Sequence, residues 1–407
     1  MQTRPLISLE DTAQAQEAEA ILRACVHCGF CNATCPTYQI LGDERDGPRG
    51  RIYLIKQVLE GAAASEETRQ HLDRCLTCRA CETTCPSGVS YGRLLDIGRA
   101  VVEQQVRRRP WLERVKRYAL GAVLPYPQRF AILLRCAQIL EPLIPARLRG
   151  KIPATRNAGL IAPQNTHRRK MLILDGCVQP ILAPAINTAA ARVLDRLGIS
   201  LLSAPTAGCC GAISYHLSAQ ADALDFMRRN IDAWLPYLEQ GVEAIVMTAS
   251  GCGVMVKEYG DIFKHDPDYA DKAQRISAAT RDLVEILAAE DLTSLKADVT
   301  GTVAFQSPCT LQHGQKLGGT VETLLLGLGF NLSPVTNPSV CCGSAGTYSL
   351  LQPELSQRLL QDKVNSLESA VPDVIATANI GCLTHIQSMT TIPVRHWIEV
   401  LDMALEK

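Results

Sequence analysis

The 407-residue chain carries 41 Lys and Arg against 41 Asp and Glu, so its formal net charge is zero and no whole-molecule field draws it to nucleic acid. Its length predicts two or three domains with real cores and, despite 17 cysteines, excludes a small disulfide-stapled secreted module. Met1-Gln2-Thr3-Arg4-Pro5 opens no apolar signal core, and nowhere do about 18 uncharged apolar residues run together. The reading is a cytoplasmic protein, with any membrane attachment peripheral.

Residues 1–104 hold eight of the cysteines in two copies of one spacing. The first is Cys25, Cys28, Cys31 and Cys35 before Pro36; the second is Cys75, Cys78, Cys81 and Cys85 before Pro86. CxxCxxCxxxCP is a ligand run for [4Fe–4S] clusters, in which the fourth cysteine serves the other cluster of a two-cluster domain. The expected sets are therefore Cys25, Cys28, Cys31 and Cys85 for one cluster and Cys75, Cys78, Cys81 and Cys35 for the other. Structural zinc or disulfides give no reason for the pairing of the motifs. Between them, Gly47-Pro48-Arg49-Gly50-Arg51 leads into Ile52, Ile55, Val58 and Leu59 at helical spacing, and 66–74 is polar and helix-compatible. This predicts a helical ferredoxin domain. Arg49, Arg51 and Arg79 are candidates to raise cluster potentials, or else solvated or ion-paired surface charges.

Residues 105–169 alternate basic and apolar runs. Arg107, Arg108, Arg109, Arg114, Lys116 and Arg117 open the stretch, and Arg147, Arg149 and Lys151 close it. Such a segment suits either an interfacial helix on an anionic leaflet or a helical linker packed on a core or partner. Prolines 125, 127, 142 and 145 cut it into short pieces. Cys136, alone on an apolar helical run, reads as a packing residue.

From residue 170 the chain repeats itself. Cys177 is followed by Cys209-Cys210-Gly211 and Cys252; Cys309 is followed by Cys341-Cys342-Gly343 and Cys382. The step from the single cysteine to the pair is 32 positions in both copies, which predicts a duplicated module over 170–295 and 296–407. Strand-like runs (171–174, 199–202, 244–247, 303–305, 374–377) alternate with helical ones (184–197, 218–240). Each cysteine falls just past a strand, where sites of open α/β sheets gather. The converged thiols have three readings: an additional metal centre, a redox-active pair, or a knot of buried thiols. The expected fold class is thus α+β multidomain: a helical two-cluster ferredoxin domain followed by a duplicated α/β cysteine-rich domain.

The two CxxCxxCxxxCP motifs followed by two CCG modules resemble the group of iron–sulfur subunits that serves glycolate oxidase, lactate utilisation, anaerobic glycerol-3-phosphate dehydrogenase and heterodisulfide reductase. Domain order and residues 47–51 are most similar to the glycolate oxidase branch. The resemblance implies an electron-transfer subunit with two [4Fe–4S] clusters. Partner flavoprotein subunits, which alone hold FAD, would oxidise glycolate to glyoxylate, or D-lactate to pyruvate. Electrons would leave to quinone or another respiratory acceptor at the inner face of the cell inner membrane. No GxGxxG or P-loop lysine motif marks a nucleotide site on this chain, and no catalytic residue is assigned to it. In the heterodisulfide reductase branch the module ends in CxxC and holds a noncubane cluster at which disulfide chemistry occurs. Here Met255 and His385 stand where the last thiolate would be. That departure disfavours an alternative in which a CCG-module cluster is itself catalytic. His385 is read as a residue at a helix start.

Overall fold

A computed structural model describes residues 1–3, 12–106, 109–143, 153, 156 and 162–405. Arg107, Arg108, Arg147, Arg149 and Lys151 lie outside the described residues. The chain divides into two compact units, Met1–Lys116 with Ser339–Leu359, and Arg117–Pro338 with Leu360–Lys407.

The first unit is helical as the spacing predicts, with no strand among its described residues. The helix Pro48–Leu59 starts on a proline, whose fixed φ suits a first turn, and buries Ile52, Ile55, Val58 and Leu59 on one face. That face packs on the helix Tyr91–Gln105 through Leu94, Leu95, Val101 and Val102. Each such aliphatic side chain contributes about 1.5–3 kcal/mol on burial. Two glycines set the approach distances. A Cβ on Gly98 would lie 2.6 Å from Ile55 Cγ1, and one on Gly50 only 2.1 Å from the Glu44 carbonyl oxygen. Between the cysteine motifs, Ser65 caps the helix Glu66–Asp73 by accepting from the Thr68 N–H at 3.1 Å.

The second unit contains two four-stranded parallel sheets, one per repeat. The strands of the first are β1 (Arg169–Ile173), β2 (Ile199–Ser203), β3 (Ile245–Met247) and β4 (Thr280–Asp282), in the order β2-β1-β3-β4. Those of the second are β5 (Thr302–Gln306), β6 (Asn331–Leu332), β7 (Val374–Thr377) and β8 (Val394–His396), in the matching order β6-β5-β7-β8. Fully buried runs such as Ile245-Val246-Met247 suit sheets covered on both faces. The order reverses between β1 and β3, and again between β5 and β7, opening a crevice at their carboxyl ends. There the repeats join: Ser250 donates its N–H to the Ala378 carbonyl at 3.1 Å, and buried His396 lies 2.8 Å from the Thr248 carbonyl.

Several expectations need correction. β4 and β8 are absent from the strand-like runs of the sequence, because each is three residues long with a central arginine and offers no apolar run. Cys136 is exposed, on the helix Pro127–Ile139, whose only buried residue is Leu134. His385 sits in the last turn of the helix Ile380–Gln387 and not at its start. The helix Trp111–Val123 buries none of its side chains, so Trp111 and Tyr118 stand 69% and 79% exposed. Among the described residues no helix is long and apolar enough to cross a membrane.

Candidate metal centres

In both ferredoxin motifs the loop between cysteines turns through left-handed backbone at the same two places. His27 and Gly29 have φ of 60° and 89°; Thr77 and Arg79, fifty residues on, have φ of 53° and 60°. Non-glycine residues adopt such angles only where surroundings over-determine them, as at ligand sites. Each loop ends in a short helix, Phe30–Ala33 or Ala80–Thr84, that carries the third cysteine.

One cavity is lined by Cys25, Cys28 and Cys31 of the first motif together with Cys81 and Cys85 of the second. His27, Arg49, Pro86 and Tyr91 line it as well. The Cys31 thiol is pushed up to about 11 by burial and then by the nearby charges of Cys25, Cys85 and Cys28. Burial likewise raises the Cys81 thiol, and the cysteines acting on it are Cys78, Cys75 and Cys35. Thiols held neutral in mutual proximity match what a cation-rich group would need, because coordination replaces their protons. Four soft sulfur donors per set fit an iron–sulfur cluster.

The two sets differ in surroundings. Around Cys35 and Cys75 the groups are buried and polar. The Thr37 hydroxyl lies 3.3 Å from Cys35 Sγ, and the Tyr91 hydroxyl donates to Cys75 Sγ at 3.6 Å. Arg51, with a side chain 1% exposed, brings Nη1 to 4.0 Å from Cys35 Sγ and Nη2 to 3.1 Å from the Thr37 hydroxyl. Its carboxylate partner Asp46 also meets His71 at 2.9 Å and Arg74 at 3.0 Å. Asp43, Asp46 and His71 approach one another closely enough to suggest a cation site. The two arginines on Asp46 make that arrangement an ion-pair network instead. Arg49 differs from Arg51: it is half-buried and paired to Glu44 at 2.6 Å. From the other repeat, Tyr348 donates its hydroxyl to the Arg74 carbonyl at 3.1 Å, within the same unit.

In the second unit, Cys177 follows β1, Cys209 and Cys210 follow β2, and Cys252 opens the helix Ser250–Lys257 after β3. Their thiols meet. Cys210 Sγ and Cys252 Sγ are 3.4 Å apart, and Cys209 accepts hydrogen bonds from Cys177 and Cys210. Those bonds hold the Cys209 thiol well below its usual range, with help from the Gly211 N–H and the Arg229 charge. Donation to Cys209 and burial push Cys177 and Cys210 well above it. Gly211, at φ 88°, sits where a Cβ would be 3.0 Å from the Ala223 carbonyl. Asn230 and Tyr259, unnoticed in the sequence, fix the loop: Asn230 donates to the Cys209 carbonyl at 2.9 Å and Tyr259 to the Cys210 carbonyl at 2.7 Å. A lone buried asparagine among Ala223, Phe226, Met227 and Ile231 on a helix is the signal that could have found it.

The second set is distributed differently. Cys309 and Cys382, after β5 and β7, belong to the second unit. Cys341 and Cys342 are buried in the first, where the Gly343 N–H donates to Cys341 Sγ at 3.4 Å. Met255 is 3% exposed and packs in the core of the first repeat.

Comparison with known proteins finds the ferredoxin motifs and both cysteine-rich repeats. Residues 21–89 match the 4Fe-4S dicluster domain family, and residues 171–257 and 303–387 each match the cysteine-rich domain family. The chain is 56% identical over 407 residues to the glycolate oxidase iron-sulfur subunit of Escherichia coli (strain K12), covering all of both chains. It is 28% identical over 400 residues to the probable glycolate oxidase iron-sulfur subunit of Bacillus subtilis (strain 168), covering 90% of this chain and 88% of that one. A 246-residue match at 28% to lactate utilization protein A of Geobacillus thermodenitrificans (strain NG80-2) covers 57% of this chain and 98% of the relative.

Proposed function

Because the chain belongs to the family of glycolate oxidase iron–sulfur subunits, we propose that it is the electron-transfer subunit of a flavin-dependent 2-hydroxy acid dehydrogenase, acting on glycolate or D-lactate. The observation that carries this reading is the meeting of Cys81 and Cys85 with Cys25, Cys28 and Cys31 around one cavity, from motifs that start fifty residues apart in sequence.

In this proposal Cys25, Cys28, Cys31 and Cys85 hold one [4Fe–4S] cluster, and Cys75, Cys78, Cys81 and Cys35 hold the other. When bound, the clusters supply one-electron storage, which suits a flavin donor that gives up its two electrons singly. Everything else the chain does is positional. The left-handed loops aim three thiolates inward, and the turns at Pro36 and Pro86 send the fourth to the neighbouring set. The substrate site and FAD belong to partner flavoprotein subunits, and the acceptor is a quinone or another respiratory carrier. The uncovered apolar side chains of 111–123, interleaved with Arg114, Lys116 and Arg117, support peripheral contact with the inner face of the cell membrane.

The test is substitution. Cys28→Ser and Cys78→Ser should each remove one cluster and stop electron delivery to an artificial acceptor, while the flavin is still reduced by glycolate. Retention of both cluster signals would overturn the ligand sets.

A second reading rests on the four converged thiols of the first repeat. There Cys177, Cys209, Cys210 and Cys252 present a soft donor set that suits a further iron–sulfur or zinc centre. In a heterodisulfide-reductase-like enzyme such a centre is the seat of reaction, and the buried Met255 in place of a final thiolate weighs against that role. Cys210→Ser should lower metal content beyond the two clusters under this reading. Unchanged metal content would leave these four thiols as a structural knot.

A further inference from the structure

We propose that Arg51, Thr37 and Tyr91 make the cluster held by Cys35, Cys75, Cys78 and Cys81 the higher-potential one of the pair, so that it is where a single electron settles. The proposal rests on the two-cluster reading above and concerns what this chain's own residues do to those thiolates.

Reduction adds one negative charge to a cluster and its four thiolates. Groups that donate hydrogen bonds to the sulfurs, or bring positive charge near them, favour the reduced form and raise the potential. The Tyr91 hydroxyl donates to Cys75 Sγ at 3.6 Å. The Thr37 hydroxyl lies 3.3 Å from Cys35 Sγ. Thr37 donates its one proton to the Asp46 carbonyl at 2.8 Å and accepts from Arg51 Nη2 at 3.1 Å, so it holds the guanidinium in place beside Cys35. Arg51 itself is a fixed guanidinium 4.0 Å from Cys35 Sγ.

The charges nearby do not cancel it. Asp46 is shared between Arg51 at 3.5 Å and Arg74 at 3.0 Å, so two guanidiniums face one carboxylate. Glu82, beside Cys81, shares the space over Gly92 with Arg79: a Cβ there would meet Arg79 Nε at 3.1 Å and Glu82 Oε1 at 3.2 Å. That pair adds no net charge.

The first set lacks this arrangement. Among the described residues, no side chain donates a hydrogen bond to the thiols of Cys25, Cys28, Cys31 or Cys85; Cys31 itself points its thiol at Asn32 Oδ1 at 3.9 Å. Arg49, which lines the cavity, is neutralised by Glu44 at 2.6 Å and partly exposed, so water screens it. Ser87 occupies the place after Cys85-Pro86 that Thr37 occupies after Cys35-Pro36, but it is only half-buried where Thr37 is 1% exposed. Burial opposes the effect, because a poorly solvated site disfavours added charge. The same low dielectric strengthens a buried cation at short range, and Arg51 is 1% exposed.

The experiment is an EPR-monitored redox titration of the full chain, loaded anaerobically with iron and sulfide. Cys28→Ser and Cys78→Ser assign each signal to its site. The Cys35/Cys75/Cys78/Cys81 signal should appear first on lowering the potential. Arg51→Gln should cut its reduced-to-oxidised ratio at fixed potential at least tenfold, equivalent to 59 mV for one electron. Arg51→Lys should restore part of the loss. Tyr91→Phe and Thr37→Val should shift the same signal in the same direction by less, and move the other signal less still. Two intact clusters with the order of reduction reversed would overturn the proposal. So would a midpoint unmoved in both Tyr91→Phe and Thr37→Val. A chain that takes up neither cluster would instead overturn the reading on which the proposal stands.

Discussion

Asp46→Asn removes one charge from the centre of the first unit while keeping the side chain's shape. Asp46 is fully buried and receives Arg51 at 3.5 Å, Arg74 at 3.0 Å and His71 at 2.9 Å. Two unit charges 3.5 Å apart attract by about 5 kcal/mol at an effective dielectric near 20. Desolvation offsets much of that in the intact pair, but the offset stays behind when only one partner is removed. Breaking a buried pair therefore costs about 3–5 kcal/mol, because Arg51 is left as an uncompensated buried cation. The new amide would also turn its NH2 toward one of the groups from which the Asp46 carboxylate accepts. The assay is equilibrium urea unfolding of the full chain, with bleaching of visible cluster absorbance reporting on the first unit and tryptophan fluorescence reporting mainly on the second, since two compact units need not melt together. A double-mutant cycle with Arg51→Met isolates the coupling and should recover most of the loss. A loss below about 1 kcal/mol, the value of an exposed pair, would refute the argument that this network is buried and tightly held.

Crossed ligation predicts that Cys85→Ser loses the same EPR signal as Cys28→Ser, whereas uncrossed ligation makes it match Cys78→Ser. Gly50→Ala should destabilise the first unit by about 3 kcal/mol or more, since its Cβ would sit 2.1 Å from the Glu44 carbonyl oxygen and force backbone apart; a thermal midpoint within a degree or two of the parent would contradict that packing. His396, buried against the Thr248 carbonyl, is depressed to about 4 by desolvation. Above the ordinary value of 6.5 both states are neutral and its burial carries no pH-linked cost. As pH falls from 6.5 towards 4 the unfolded chain takes up the proton first, and the second unit loses up to about 3 kcal/mol. His396→Gln should flatten that slope; an identical acid profile in the variant would refute it.

Much of this architecture is legible in the sequence because cysteines mark it. The repeated CxxCxxCxxxCP spacing announces two ligand sets, and the 32-residue step announces two like sheets. Apolar spacing in 52–59 reads correctly as a buried helix face. What does not read is tertiary context. Arg49 and Arg51 are two residues apart on one helix; one is a half-exposed ion pair, the other the most buried cation of the unit, and only packing against His71 and Asp46 separates them. Thr37 and Tyr91 are ordinary residues until the chain brings their hydroxyls to Cys35 and Cys75. β4 and β8 escape notice because edge strands of three residues owe their form to a neighbour's hydrogen bonds more than to their own propensity. Cys136 reads as a packing residue and is exposed, since periodicity reports an apolar face without saying what covers it.

The central claim is that eight thiolates from two motifs hold two cubane clusters. Anaerobic purification followed by a count of iron, acid-labile sulfide and zinc per chain tests it most directly. The account predicts about eight irons with matching sulfide from the two ferredoxin motifs, any excess iron or zinc being lost in Cys210→Ser. Four irons or fewer in a fully folded chain, or zinc in their place, would contradict it.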